Sequence, residues 1–202
     1  MNLIYFFVLF LLTTSSLINA WRWSRIAQRE HYIPGYVTKF YFRWVKLIPF
    51  NNFYFFLTLI FMILSLWNPY TAILVAILSL LLPRGLSFNW RTSKVDQTER
   101  IKRLNTVYFI LISLISIASV LLEYGYFLAL FANVFSFFVY DQALKLTKNF
   151  EKNQSQIFVD RAEAKLGTFS GPIVSITGSY SKTTTKNTLK QILSTTNDVF
   201  VT

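Results

Sequence analysis

The clearest chemistry in this chain lies in the run Thr177-Gly178-Ser179-Tyr180-Ser181-Lys182-Thr183-Thr184-Thr185-Lys186-Asn187. A glycine-containing turn that opens into a helix aims several backbone N–H groups at one spot, and that spot attracts an anion. Lys182 adds a mobile positive charge suited to the β- and γ-phosphates of a nucleotide, and the Thr183 hydroxyl suits a Mg²⁺ position. Hydroxyls at residues 183–185 are also placed to cap the helix they begin.

Such a turn needs a strand to deliver it and a helix to receive it. Ile173–Ile176 reads IVSI, a short β-branched run with the character of a buried strand. A helical stretch follows to about Leu193, and Val199–Thr202 reads as a second strand. Strand, turn, Lys-Thr, helix, strand is the phosphate-loop arrangement. The general pattern G-x-x-x-x-G-K-[ST] is not met: its glycines would fall at Ile176 and Ser181. An ordinary strand–turn–helix with a threonine-rich cap remains the plain alternative.

The rest of the chain reads as membrane. Hydrophobic residues make up 53% of its 202 residues and charged residues only 14%, against about 25% in an ordinary soluble domain. The absence of Cys excludes disulfide scaffolds, Cys zinc sites and thiol nucleophiles, and one His argues against a transition-metal site. Apolar runs predict helices over about 2–20, 50–67, 69–88, 105–122 and 124–140. A crossing needs about 20 residues. The third run is short; it is expected to borrow Leu86 and Phe88 while Arg84 snorkels to the headgroups. The first run has no basic residue before it, and Arg22, Arg25 and Arg29 follow it, which suits an uncleaved helix with its N-terminus outside.

All twenty basic residues fall in three places: between the first and second runs, between the third and fourth, and after the fifth. Five crossings put every one of them on one face, which the positive-inside rule makes cytoplasmic. The expectation is a multi-pass plasma-membrane protein, N-terminus outside and C-terminus cytoplasmic. Topology then explains the net charge of +11, and no nucleic acid is invoked. Asn68-Pro69 and Glu123–Gly125 read as tight outer turns, with Trp67, Tyr70, Tyr124 and Tyr126 in an aromatic belt.

Inside, Pro34-Gly35 marks a turn. The helix expected after it carries Lys39, Arg43 and Lys46 on one face, interleaved with aromatics. It reads as an interfacial connector, or as a cradle for an anionic lipid headgroup or lipid-linked substrate. His31 receives no role. A short helix is expected at Gln97–Leu104, a linker over Asp141–Ser155, and a helix over Gln156–Leu166. Asn133 is expected to pair with a neighbouring helix, and Thr13, Thr14, Ser15 and Ser16 to bond their own backbone. No Asp, Glu, Lys or Arg lies inside a span, Arg84 excepted, which argues against a pump or channel.

The run ITGSYSKTTTKNTLKQIL resembles the nucleotide-binding loop of the Mur ligase family, ATP-dependent enzymes that extend peptidoglycan precursors. Against the family's T-G-[ST]-x-G-K-[ST]-[ST]-T, residues Thr177, Gly178, Ser179, Lys182, Thr183, Thr184 and Thr185 match, and Ser181 replaces a glycine. Lys186 and Asn187 resemble the branch that adds D-alanyl-D-alanine. REHYIPGYVTKFYFRW, residues 29–44, resembles the first cytoplasmic loop of membrane-anchored members of that branch.

The resemblance implies ATP and Mg²⁺ as cofactors. Gly178, Ser179, Tyr180, Ser181, Lys182, Thr183 and Thr184 would hold the nucleotide. Lys182 would act catalytically by neutralising charge on the γ-phosphate, and Thr183 would reach Mg²⁺ through ATP. It implies membrane lipid and a nucleotide-linked or lipid-linked cell-wall precursor as partners.

The expected architecture is an α-helical membrane region over 1–140, a linker and helix over 141–171, and the first β–α–β of an α/β ATPase domain over 172–202. The family's domain continues past that point, with a carbamylated lysine and metal-binding acids. The resemblance therefore implies the N-terminal part of a larger amide ligase, inactive by itself. A poly-γ-glutamate synthase-like ligase and a non-catalytic membrane scaffold with a degenerate loop are the alternatives.

Overall fold

The computed structural model describes residues 3–86, 97–122, 126–168, 171–196 and 199. The chain divides into two compact units, Met1–Ser155 and Gln156–Thr202. Every regular element among the described residues is an α-helix.

In the first unit, α1 spans Leu3–Arg29, α2 Tyr36–Leu47, α3 Pro49–Leu64, α4 Thr71–Leu81, α5 Glu99–Leu121 and α6 Tyr126–Val134, and α7 starts at Ser136. α1 is the hub and packs against α4, α5 and α6. It continues past the expected end at Ala20, because nothing breaks a helix before Pro34-Gly35. It stops where His31 and Tyr32 take positive φ of 55° and 59°. There the Tyr32 N–H reaches back to the Ala27 carbonyl at 2.7 Å and His31 to Gln28 at 3.2 Å, the two bonds of a Schellman closure. The His31 without an expected role therefore ends the longest apolar helix.

α2 meets α3 at 111°. Pro49 at the first turn of α3 is tolerated because its missing N–H has no partner there anyway. α3 and α4 form the expected hairpin: the Asn68 side-chain carbonyl accepts from Tyr70 N–H at 3.0 Å, and the Thr71 hydroxyl donates to the Asn68 carbonyl at 2.7 Å. Trp67 and Tyr70 are exposed at this turn. The Glu123–Gly125 turn lies outside the described residues.

Four expectations about element boundaries change. α4 ends at Leu81 and does not reach Leu86, since Pro83 lacks an N–H and holds Leu82 extended; Phe88 lies outside the described residues. The helix expected at Gln97–Leu104 and the fourth run are one element, α5, capped by the Thr98 hydroxyl accepting from Ile101 N–H at 3.3 Å. The fifth run is broken at Phe135, where α6 and α7 meet at 83°. The expected linker at Asp141–Ser155 is helix: α7 runs Ser136–Gly167 without a proline, and Gly167 ends it.

The core is apolar, with polar residues buried inside it and wide apolar stripes facing outward. Ser15, Ser16, Asn19, Thr58, Ser79 and Asn133 are buried, while Phe56, Ile60 and Ile63 of α3 and Ile110, Leu114, Ile117 and Leu121 of α5 are exposed. Each exposed set repeats at three to four residues and makes one apolar stripe along its helix. α1 and α5 are long and apolar enough to cross a membrane, and up to four spans result if each bent pair counts as one. Small residues line the α1, α4 and α6 contacts: Ser15, Ser16, Ala72, Ala76, Ala129 and Ala132. They let backbones approach closely, as van der Waals packing in lipid requires.

In the second unit, α8 covers Lys182–Leu193, ending where the sequence predicts. The strand expected at Ile173–Ile176 is not formed. Ile173 and Val174 are 59% and 62% exposed, and no strand exists among the described residues to pair with them. A single strand has no ladder to satisfy its N–H and C=O groups. Of the second expected strand, only Val199 is described.

Candidate functional site

The loop residues meet at the start of α8. Ser179 and Tyr180 form a bend after Gly178, Ser181 is the N-cap residue, and Lys182 opens the helix. Ser181 has φ 61° and ψ 10°, the left-handed conformation that glycine adopts freely and that a Cβ opposes. The position where the family pattern has glycine is thus one whose backbone favours glycine. At Gly178 a Cβ would meet the Tyr180 carbonyl oxygen at 3.5 Å and Lys182 Cγ at 3.9 Å, ordinary contacts. The Lys182 stem therefore lies beside the turn.

The first intrahelical bond runs from Thr185 N–H to the Ser181 carbonyl at 2.9 Å. Among the described residues, no hydrogen bond engages the N–H groups of Lys182, Thr183 or Thr184. The expected hydroxyl capping is absent: Ser181 makes no side-chain cap bond. The Thr183, Thr184 and Thr185 hydroxyls have no partner among the described residues either. Three N–H donors, a lysine and a threonine hydroxyl thus stand together at a helix N-terminus. That donor set fits a phosphate group. Thr183 offers Mg²⁺ one oxygen, which suits a cation held mainly by phosphates and water. Among the described residues no cluster of His, Asp and Glu forms a metal site.

No protein-family model matches the chain, and no curated protein or solved structure matches it.

The first unit holds a second polar constellation that the sequence reveals only in part. Asn133 on α6 donates to the Leu12 carbonyl at 2.9 Å, to Ser16 Oγ at 3.0 Å and to Ser15 Oγ, pinning α6 to α1 as expected. Ser15 and Ser16 bond the Leu12 carbonyl of their own helix. Thr13 instead reaches Ser116 on α5 at 2.8 Å. Trp23, Thr58, Ser79, Asn133 and Ser136 line a small pocket sized for about one water molecule.

Arg22 corrects the expectation of a charge-free interior. It is 5% exposed and donates to the Leu82 carbonyl at 2.6 Å and Asn19 Oδ1 at 3.3 Å. Leu82 is the C-cap of α4, so a cation sits at the negative end of that helix.

Asp141, placed in a linker by its sequence, is 1% exposed. Its two oxygens accept from Gly35 N–H and Thr38 N–H, both at 2.8 Å. Those donors belong to the first turn of α2, whose own N-cap residue, Gly35, has no side chain to offer. α7 therefore caps α2 from another part of the chain. The signal was an isolated acid closing the uncharged run 126–140.

Beyond it, Glu151 takes Arg103 in a forked pair at 2.9 and 3.2 Å. Arg100 lies 3.7 Å from the same carboxylate and over the Tyr32 ring at 4.0 Å.

Proposed function

We propose that this chain anchors an ATP-binding loop of Mur-ligase type to the plasma membrane, as part of an enzyme that joins an amine to an activated carboxylate on a cell-wall precursor. The observation that supports it is the set of free N–H groups at Lys182–Thr184, presented by a turn whose order Thr-Gly-Ser-x-x-Lys-Thr-Thr-Thr follows the family pattern. Gly178–Thr184 would hold the phosphates, with Thr183 beside Mg²⁺. Bound ATP supplies the phosphoryl group that activates a carboxylate. Lys182 neutralises charge on that group.

The anchor has its N-terminus outside and its C-terminus in the cytoplasm. This rests on the clustering of the basic residues at alternate ends of the apolar runs, with Arg22 buried inside α1 as the exception. It requires the short α4 and α6 to traverse beside α1. Their ends are buried in protein at Leu82 and Val134, where short or irregular backbone is tolerated at membrane depth.

The test is ATP binding by the protein in detergent. Lys182→Ala removes a charged hydrogen bond worth roughly 1.5–3 kcal/mol and weakens ATP binding about 10- to 100-fold. Unchanged affinity rejects these roles. No binding by either the native chain or Ser181→Gly favours the non-catalytic scaffold.

A further inference from the structure

The cationic face of α2 has no part in the nucleotide reading. Val37, Tyr41 and Val45 are buried, and Lys39, Arg43 and Lys46 stand together on the opposite, exposed side. Tyr36, Phe42 and Leu47 flank these cations and are exposed as well. α2 contains no acidic residue.

The helix is held rigidly in place. Asp141 caps its first turn from beneath, Tyr41 stacks on Phe137 with ring centroids 3.9 Å apart, and the Trp44 indole donates to the Arg84 carbonyl at 2.9 Å. Asn51 clamps the same residue, accepting from Arg84 N–H at 2.8 Å and donating to its carbonyl at 3.2 Å. The Arg84 guanidinium lies 5.8 Å from the rings of both Phe50 and Tyr54 of α3. α3 carries a lipid-type apolar stripe and α2 leaves it at 111°. A crossing α3 therefore lays α2 along the bilayer surface, among phosphates.

We propose that this face is a binding site for anionic phospholipid, with headgroup phosphates along Lys39, Arg43 and Lys46 and the acyl chains against the flanking apolar side chains. The argument is charge complementarity at a preorganised surface: one sign of charge, no internal counter-ion on the helix, and apolar margins at headgroup depth. It does not depend on nucleotide binding.

The experiment titrates phosphatidylglycerol and, separately, phosphatidylcholine into the full chain in neutral detergent and counts bound lipids by native mass spectrometry. Each cation replaced by Gln lowers phosphatidylglycerol affinity about fivefold, and Lys39→Gln, Arg43→Gln and Lys46→Gln together lower it on the order of a hundredfold. Phosphatidylcholine binding stays as it was.

A charge-keeping control, Lys39→Arg with Arg43→Lys and Lys46→Arg, retains the preference. Retention of the preference by the Gln variant overturns the proposal. Its loss in the charge-keeping variant does so too, since packing and not charge would then be responsible. Equal displacement by soluble glycerol phosphate identifies a free-phosphate site and overturns the lipid assignment.

Discussion

At position 181 the backbone takes a conformation that its side chain resists. A non-glycine residue in the left-handed region costs roughly 1–2 kcal/mol, and Ser181 sits there at φ 61°. Ser181→Gly therefore tightens ATP binding about fivefold, as read by titration, if the turn must hold this shape to receive phosphate. Asp141 offers a second test. Asp141→Ala strips two part-buried N–H groups, those of Gly35 and Thr38, of their acceptor and destabilises the chain by about 1–2 kcal/mol. Asp141→Asn keeps one acceptor oxygen and loses about half as much in thermal unfolding. Asn133→Ala costs about 0.6–1.7 kcal/mol, the range measured for side-chain bonds between helices in lipid.

Among elements, those whose boundaries are marked by strong breakers were legible. Pro34-Gly35, Asn68-Pro69 and Gly167 each end or separate helices where the sequence says so. α8 also stops where predicted. The weak points were stretches read by composition. Asp141–Ser155 is rich in Asn and Lys and reads as linker, yet it contains no Gly or Pro, and tertiary packing of Tyr140, Leu144 and Glu151 makes it helix. The bend at Phe135 has no breaker at all. It is held by rings from other helices, Tyr41 on Phe137 and Trp23 edge-on to Phe137, with the Trp23 indole donating to Ser136 Oγ at 3.2 Å. Sequence patterns within one segment carry no trace of such distant partners. The Glu151 pair belongs to this scale too. Its arginines are 38–40% exposed, so Glu151→Gln costs no more than about 1 kcal/mol, and the difference in melting temperature disappears in high salt.

For the whole molecule, the proposed sidedness is a sum over all basic residues and tolerates errors in any one helix. The chain contains no cysteine, so single cysteines report topology cleanly. Asn68→Cys is expected to react with an impermeant maleimide applied to intact cells, and Lys148→Cys only after lysis. The reverse pattern rejects the orientation. The turn before α8 was legible as a pattern, and its left-handed residue falls at Ser181, where that pattern has glycine. The flanking strand was not delivered, because a strand exists only where another pairs with it.

The polar pegs on α1 have a consequence for biogenesis. α1 leaves the ribosome before the helices that bond to it, and Asn133 on α6 finds its partners only there. An asparagine entering lipid without them carries bare donors into hydrocarbon. A chain lacking α1 is therefore expected to leave α6 without these acceptors and to accumulate to a lower level than the full chain, as read by immunoblot of membrane fractions.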